Sequence, residues 1–308
     1  MTNRDFHDPR ATEQRNPRSE RIDVASSLEI VDIMNAEDAR VAGVVQGQRE
    51  QIARAIDLIV GAFKAGGRLV YVGAGTSGRL GVLDATECPP TFGVPPTMVT
   101  GVIAGGYPAL VKSAEGAEDD VNAGMAAMDT AEVTNRDVVV GIAASGTTPY
   151  VRAALGKAQT LGATTVLLTC AMPPKVLAET CDVVINPVVG PEVVTGSTRL
   201  KAGTATKLVL NTLSTGAMIR LGKVFGNLMV DLMALSAKLH DRGERIVMEV
   251  GGVSRDEARQ AIDRAKGSVK LAIVMARRKV DAAVARRLLD KADGFVRPVV
   301  GDPPPVGR

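Results

Sequence analysis

Five short apolar runs along the middle of the chain constrain its fold more than any other feature of the sequence. Each run is rich in β-branched residues, and the segments between them are typical of helices in length and composition. The runs are Arg68–Val72, Met98–Ile103, Asp137–Ile142, Thr164–Thr169 and Asp182–Asn186. Strands that alternate with helices usually pair in parallel and are covered on both faces. The pattern therefore predicts an α/β fold with a five-stranded parallel sheet and helices on both faces.

The sequence around these strands predicts three further parts. Before them, a polar segment lacks apolar periodicity and is expected to be a mobile tail or an arm that docks elsewhere. After them, three short helical patterns predict a small helical piece, and a proline-rich end is expected to be disordered. The predicted boundaries are 1–25 for the arm, 26–245 for the sheet domain with flanking helices, 246–300 for the three-helix piece and 301–308 for the tail.

Two local patterns describe the second half of the chain. After Val188 the strand pattern stops, and four leucines spaced four, three and four apart predict one face of a long helix that packs on the sheet or on a second subunit: Leu228, Leu232, Leu235 and Leu239. Ser254 is followed three residues later by Glu257, which is the pattern of a capping box. The first of the three short helices is therefore expected to begin just after Ser254.

Charge and composition argue against nucleic-acid and membrane partners. Lysine and arginine number 37 against 34 aspartates and glutamates, so the formal net charge is only +3 and no extended basic surface is expected. The longest uncharged stretch, 88–111, is interrupted by several prolines and glycines and is not expected to be a membrane helix. The polar N-terminus has no apolar core of a secretory signal, so we expect a cytoplasmic protein.

Cysteine and histidine usage predicts no metal site. The three cysteines, Cys88, Cys170 and Cys181, are too scattered for a disulfide framework or a metal-binding pair and are expected to be buried thiols. With two histidines in the chain, a zinc site or a Ser-His-Asp triad would depend almost entirely on His240. We expect His240 to pack on its helix, and whether it or Lys238 reaches a neighbouring subunit's site is open.

No organic cofactor is expected either. The first strand runs into Gly73–Gly78, which formally satisfies the G-x-G-x-x-G pattern of dinucleotide-binding folds. That fold also needs an acidic residue at the end of the second strand to hold the ribose, and Val102–Gly106 supplies none. The glycine-lysine pairs of the chain lack the serine or threonine that a Walker loop requires.

Two hydroxyl-rich loops point instead to a phosphate site. Gly73–Gly78 follows the first strand and Gly141–Thr148 the third, and each places Ser-Gly where a strand passes to a helix. Thr148 before Pro149 is also a plausible helix cap. One such loop is explained by helix capping alone, but two matching loops and a third cluster at Thr195–Thr198 favour phosphate binding. The candidate residues are Thr76, Ser77, Gly78, Ser145, Gly146, Thr147 and Ser197.

Four blocks of the sequence carry a resemblance to a known family. The blocks VGAGTSGRLGVLDATECPPTFG, AEGAEDD, GIAASGTTPYV and VTGSTRLKAGTATKLVLN resemble N-acetylmuramic acid 6-phosphate etherases over nearly the whole chain. The strand, loop and helix repeat is similar to the flavodoxin-like sugar isomerase (SIS) domain, which binds phosphosugars. The resemblance implies cleavage of the lactyl ether of N-acetylmuramic acid 6-phosphate to N-acetylglucosamine 6-phosphate and D-lactate in cell-wall recycling. It also implies a homodimer that needs no metal or organic cofactor.

Ether cleavage next to an aldehyde requires one base and one acid, which two carboxylates supply when their environments separate their pKa values. Glu87 lies in an apolar, proline-rich context where burial is expected to keep it protonated, so it suits the acid. The residues alone leave the base open among four acids, Glu115, Glu118, Asp119 and Asp120, because such a cluster is commonly a solvated helix start. The family match selects Glu118.

Several alternatives stay open at this stage. Arg199 and Lys201 either neutralise the phosphate or the lactyl carboxylate, or form structural salt bridges. A non-catalytic phosphosugar sensor would use the same loops, since the etherases share sequence features with the animal glucokinase regulator. An aldose-ketose isomerase would use the same proton abstraction at carbon 2 but would release no lactate. The sequence leaves the dimer geometry, the role of the C-terminal piece and the acceptance of anhydro-sugars undetermined.

Overall fold

The computed structural model describes residues 10–232 and 237–305, and it confirms the predicted α/β fold. The five apolar runs form strands that pair in parallel in the order β2-β1-β3-β4-β5. Their bounds are β1 (Leu69–Gly73), β2 (Val99–Ile103), β3 (Val138–Ile142), β4 (Thr164–Leu168) and β5 (Val183–Ile185).

Helices precede, connect and follow these strands. They are α1 (Ser27–Asp38), α2 (Val41–Gln46), α3 (Arg49–Lys64), α4 (Gly75–Phe92), α5 (Val121–Thr130), α6 (Pro149–Thr160), α7 (Lys175–Thr180) and α8 (Lys201–Arg220). Single 3-10 turns include Ala11–Glu13 and Pro17–Ser19 near the N-terminus and Ala117–Asp119 before α5. Among the described residues, no helix combines the length and the apolar character needed to cross a bilayer.

The chain divides into two compact units. The first comprises residues 10–86 and 97–214 and holds the five-stranded sheet, and the second comprises residues 87–96, 215–232 and 237–305. Helices α4 and α8 each have residues in both units.

Helices cover both faces of the sheet because side chains alternate along each strand. On one face, Val70 and Val139 are buried in a cluster with Leu155 of α6. A Cβ on Gly141 would lie only 2.6 Å from Leu155, so glycine lets α6 approach the sheet. On the other face, a Cβ on Gly81 of α4 would lie 2.9 Å from the Cβ of Tyr71. The hydroxyl loops at the starts of these two helices are thereby held close to the sheet.

The strand order places the loops after β1 and β3 side by side at the carboxyl ends of the strands. β1 pairs with both β2 and β3, so the connections after β1 and β3 leave in opposite directions. In open parallel sheets, the crevice at such a switch point, beyond the carboxyl ends of the strands, is where ligands bind. The two hydroxyl-rich loops are the segments that follow β1 and β3.

The second unit is built around helices that follow a short hairpin. Its elements are β6 (Val224–Phe225), β7 (Leu228–Met229), α9 (Ala237–Gly251), α10 (Arg255–Arg264), α11 (Val269–Arg278), α12 (Ala282–Lys291) and α13 (Arg297–Val300). The capping box of Ser254 and Glu257 is confirmed. Helix α11 lies at the centre and contacts α9, α10, α12 and α13. Residue 245, where the sequence places a domain boundary, falls inside α9.

The predicted leucine-striped helix is wrong in its first half. Leu228 lies in β7, and Leu232 lies in the segment that follows the hairpin. Two glycines explain the difference: Gly222 (φ +70°) follows the end of α8, and Gly226 (φ +58°) makes the turn between β6 and β7. A left-handed backbone at these positions interrupts the helix whatever the leucine spacing. Leu239 lies on α9, and Leu235 is outside the described residues.

Candidate functional site

A cavity of about 420 Å³ opens at the carboxyl ends of β1 and β3. It is lined by the loops after these strands, by part of the acidic segment 115–120, by the turn before α8 and by the first residues that the structure describes. Its lining residues are Arg10, Glu13, Ala74, Gly75, Thr76, Ser77, Glu118, Asp119, Ile142, Ala144, Ser145, Thr147, Thr148, Pro149, Gly196 and Thr198. The switch point of the sheet is therefore a polar, hydroxyl-lined pocket.

The first hydroxyl loop leads directly into α4. Gly75 has φ +53° at the turn, and Thr76 and Ser77 line the cavity in the first turn of the helix. Gly78 has a packing role: a Cβ there would lie 2.6 Å from Cγ1 of Ile103 and 2.7 Å from the carbonyl oxygen of Gly73. The absence of a side chain at Gly78 lets the N-terminus of α4 lie close to β1. Backbone N–H groups at such a helix start are suited to bind an anion.

The second loop holds its hydroxyl groups together. The Oγ of Ser145 and the Oγ1 of Thr147 are 2.9 Å apart, and the backbone N–H of Thr147 donates to Ser145 Oγ at 3.3 Å. Gly146 makes the turn with φ +72°, and a Cβ there would lie 3.0 Å from Oγ1 of Thr169. Thr148 occupies the N-cap of α6, but the predicted capping by its side chain is wrong, since that side chain makes no cap hydrogen bond to this helix.

The third hydroxyl cluster, Thr195–Thr198, was expected to contribute Ser197 to the site. Gly196 and Thr198 line the cavity. Ser197 lies in the turn between them, where its N–H donates to the carbonyl oxygen of Val194 at 3.0 Å. Thr198, which belongs to the same cluster as Ser197, is therefore a further candidate hydroxyl.

The tertiary structure separates the four competing acids. Asp120 caps α5, since its carboxylate accepts from the N–H of Ala123 at 2.8 Å. Glu118 and Asp119 line the cavity that holds the hydroxyl loops. Glu115 lines a neighbouring cavity of about 330 Å³, to which Glu118 also contributes. The left-handed Gly116 (φ +72°) precedes the 3-10 turn that carries Glu118.

Glu87 is exposed on α4, so its predicted burial is wrong. The helix periodicity gives the reason: Ala85 and Cys88 take the buried face at 5% and 2% exposure, which turns Glu87 outward. One turn earlier, Asp84 anchors α4 to the sheet, because the Tyr71 hydroxyl donates to it at 2.9 Å and the Ser214 hydroxyl at 3.1 Å. Burial raises the pKa of the Asp84 carboxyl, although these hydrogen bonds oppose the rise.

Comparison with known proteins identifies the family. An N-acetylmuramic acid 6-phosphate etherase from Edwardsiella ictaluri (strain 93-146) is 51% identical over 295 residues, which cover 96% of this chain and 98% of the relative. Another from Mesorhizobium japonicum (strain LMG 29417 / CECT 9101 / MAFF 303099) is 53% identical over 292 residues, covering 95% of each chain. The chain belongs to the N-acetylmuramic acid 6-phosphate etherase family. The family resemblance drawn from the four sequence blocks is confirmed.

A family model and a solved structure also match this etherase-family chain. Residues 51–159 match the model described as the glucokinase regulatory protein N-terminal SIS domain. The structure of phosphoheptose isomerase from Neisseria gonorrhoeae is 18% identical, covers 62% of this chain and 98% of that chain, and has a TM-score of 0.45.

The cysteines and His240 are not among the described residues that line the cavity. All three cysteines are buried thiols, as predicted. Burial raises the pKa of the Cys170 thiol to about 12 and that of Cys181 to about 11, which disfavours the thiolate form. His240 and Lys238 are exposed on α9, so the expected packing of His240 is wrong. Within residues 10–232 and 237–305, no group of three potential ligand side chains is placed to hold a metal ion.

Lys201 is a structural residue in this etherase-family chain. It is 2% exposed, and its ammonium group donates to the buried carboxylate of Glu37. Asn16 donates to the same carboxylate at 2.8 Å, and so does Arg18 at 2.8 Å. Burial by itself raises the pKa of Glu37, but the hydrogen bonds from Lys201, Arg18 and Asn16 outweigh it and lower the pKa to about 2. Of the two readings of Lys201, the structure supports the salt bridge.

This network predicts a stability that is lost in acid. A carboxyl pKa lowered from 4.5 to about 2 stabilises the folded state by about 3 kcal/mol above pH 4.5, and the contribution disappears as the pH falls toward 2. Between pH 4.5 and pH 2, the free energy of urea unfolding should fall in both the wild type and the double variant Glu37→Gln/Lys201→Met. We expect the fall in the wild type to be larger by about 3 kcal/mol. The double variant removes both charges, so no unpaired buried ion is left. Parallel pH curves for the two proteins would contradict this assignment.

Proposed function

We propose that this chain is a carbon-oxygen lyase that cleaves the D-lactyl ether of N-acetylmuramic acid 6-phosphate. The products are N-acetylglucosamine 6-phosphate and D-lactate, and the reaction belongs to amino-sugar recycling. Membership of the etherase family supports this activity. The single observation that carries it is the cavity at the switch point, where two hydroxyl loops suited to a phosphate lie beside a carboxylate, Glu118, suited to take a proton.

The phosphate is held by the loops after β1 and β3. The hydroxyls of Thr76, Ser77, Ser145 and Thr147 and the N–H groups at the start of α4 bind its oxygens. Gly78 and Gly146 let the two loops pack in this arrangement, because a side chain at Gly78 would clash with Ile103 and one at Gly146 would be strained. The phosphate anchors the sugar so that carbons 2 and 3 lie toward the acidic segment.

The chemistry is an elimination followed by hydration. In the open-chain sugar, carbon 2 lies next to the aldehyde, so its proton is acidic. Glu118 removes that proton, the electron pair forms the bond between carbons 2 and 3, and the bond from carbon 3 to the ether oxygen breaks. The acid that protonates the departing lactyl oxygen is Glu87 by the sequence assignment alone, since Glu87 is exposed on α4 and is not among the residues that line the cavity. Water then adds its hydroxyl group to carbon 3, and a proton returns to carbon 2.

Release of D-lactate from N-acetylmuramic acid 6-phosphate is the decisive test. A sugar-phosphate isomerase would convert a sugar phosphate without releasing lactate, and a non-catalytic sensor would bind it without turnover. In ¹⁸O-labelled water, the proposed reaction places the label on carbon 3 of the product sugar. Label in D-lactate alone would show that the lactyl side of the ether is cleaved and would overturn the mechanism.

We also propose that the protein acts as a homodimer in the cytoplasm, as the family resemblance implies. Leu28 and Val31 lie on α1 with 71% and 51% of their surface exposed, which is consistent with a face that a second copy covers. Sedimentation equilibrium should give twice the chain mass of 32.1 kDa. A mass of one chain at micromolar concentration would contradict the dimer.

Replacement of Ser77 or Ser145 with alanine should weaken substrate binding. Each change removes one hydrogen bond from a serine hydroxyl to a charged phosphate oxygen. The loss costs about 1–3 kcal/mol of binding free energy, or roughly a 5- to 150-fold rise in KM. Steady-state kinetics would measure the effect, and thermal melting would check that the fold survives. Thr130→Ala, at the exposed end of α5, is the control. Unchanged kinetics in both serine variants would show that these hydroxyls act only as helix caps.

A further inference from the structure

Residues 10–19, here called the N-terminal arm, form one wall of the switch-point cavity. Arg10 and Glu13 both line it. The side chain of Thr12 is fully buried, and its backbone carbonyl accepts from the N–H of Gly196 at 3.1 Å. Its hydroxyl donates to the Glu13 carboxylate at 3.1 Å. The arm therefore carries two ionic side chains into a cavity that the sheet loops alone would leave open.

The arm is attached at points that do not involve Arg10. The side-chain amide of Asn16 donates to the Glu37 carboxylate at 2.8 Å and to the carbonyl oxygen of Pro191 at 3.1 Å. The hydroxyl of Ser19 donates to the carbonyl oxygen of Val193 at 2.8 Å. Asn16 and Ser19 are themselves buried. A change at Arg10 should therefore leave the arm in place.

Arg10 faces the hydroxyls of the second loop. Its Nη1 lies 3.5 Å from Oγ1 of Thr147, which in turn lies 2.9 Å from Oγ of Ser145. A guanidinium group offers several N–H donors in a planar fork that matches two oxygens of a phosphate. Arg10 is thus placed where a phosphate held by Ser145 and Thr147 would present its oxygens.

The charges that line the cavity favour a cation at this position. Three carboxylates line it, those of Glu13, Glu118 and Asp119, and Arg10 is the only lysine or arginine among the described lining residues. A phosphate ester carries close to two negative charges at neutral pH, so three acids without a cation would repel it. Of the two basic residues that follow the third hydroxyl cluster, Lys201 is paired with buried Glu37 and Arg199 is not among the described residues that line the cavity.

We propose that Arg10 binds the phosphate of the substrate, so that the N-terminal arm completes the phosphate site. This inference rests on the proposed function, which supplies the phosphosugar. The phosphate site then consists of the two loops of the sheet and Arg10. Arg10 comes from the N-terminal arm, a part of the chain that has no apolar periodicity. Arg10 also lowers the electrostatic cost of placing a phosphate near Glu13, Glu118 and Asp119.

Calorimetric titration with N-acetylglucosamine 6-phosphate tests the assignment, because this probe has the phosphate but no lactyl carboxylate. We expect Arg10→Ala to raise its Kd about 10- to 100-fold and Arg10→Lys to recover part of the loss, since lysine keeps the charge without the fork. Arg15→Ala is the matched control, as Arg15 is an exposed cation on the same arm. Limited proteolysis of the variants should show that the arm stays attached.

The outcomes separate this inference from the proposed function. If Arg10→Ala binds the probe like the wild type but loses affinity for N-acetylmuramic acid 6-phosphate, Arg10 binds the lactyl carboxylate and the assignment is overturned. The assignment is also overturned if Arg10→Ala binds each of the two sugars as tightly as the wild type does. It is overturned as well if the wild type does not bind the probe at millimolar concentration. Arg10-dependent binding without any release of D-lactate would refute the lyase and support the phosphate site.

Discussion

Glu118→Gln is expected to abolish both proton exchange at carbon 2 and release of D-lactate. The glutamine side chain has nearly the same shape but cannot accept the proton, and every later step depends on that abstraction. Loss of a positioned general base costs about 100- to 10,000-fold in rate. Exchange is measured by NMR in deuterated buffer and lactate by an enzymatic assay. Binding of the product sugar phosphate should persist, because the hydroxyl loops and the helix start are unchanged.

Glu115→Gln is the matched control for this experiment. Both glutamates belong to the same acidic segment, but Glu118 lines the cavity of the hydroxyl loops while Glu115 lines the neighbouring cavity. The control should therefore retain most of the activity. Loss of exchange in Glu115→Gln together with retention in Glu118→Gln would show that the base is the other glutamate.

Glu87→Gln should differ from Glu118→Gln in kind. If Glu87 protonates the departing lactyl oxygen, its replacement lowers the rate of lactate release about 100- to 10,000-fold. The base at carbon 2 stays in place. Some exchange of the carbon 2 proton should therefore continue without product formation. The same NMR experiment and lactate assay measure both quantities in one sample.

An exposed glutamate on another helix, Glu50 of α3, provides the control for Glu87, and Glu50→Gln should behave like the wild type. Complete loss of exchange in Glu87→Gln would contradict the assignment of Glu87 as the acid, because a residue that acts only on the leaving group is not needed for abstraction. Normal lactate release in Glu87→Gln would exclude it from the chemistry.

The sheet and its hydroxyl loops were predictable because their signals are local. The five β-branched runs correspond to β1 to β5 within a residue or two, since a buried parallel strand needs a continuous apolar run of its own. Ser77 and Ser145 lie three to four residues after the ends of two of these strands, and the carboxyl ends of parallel strands lie at one edge of the sheet. The sequence motifs also led to the correct family.

Some local signals were outweighed by others in the same segment. The leucine spacing predicted a continuous helix through Leu228, but Gly222 and Gly226 adopt positive φ and allow a hairpin there. Glu87 was expected to be buried because its neighbours are apolar and proline-rich. On a helix, burial is decided by the face and not by the neighbours, and the buried face passes through Ala85 and Cys88.

The sequence by itself determined the strands, the loops that follow them, the capping box at Ser254 and the family. Only the tertiary structure decided which of the four clustered acids line the cavity, that Lys201 pairs with Glu37, and that Arg10 lies beside Thr147. Arg10 and Thr147 are 137 positions apart, and Lys201 and Glu37 are 164 apart. Periodicity and capping depend on residues within a few positions, whereas these contacts depend on how distant segments pack, and nothing in the neighbouring sequence encodes them.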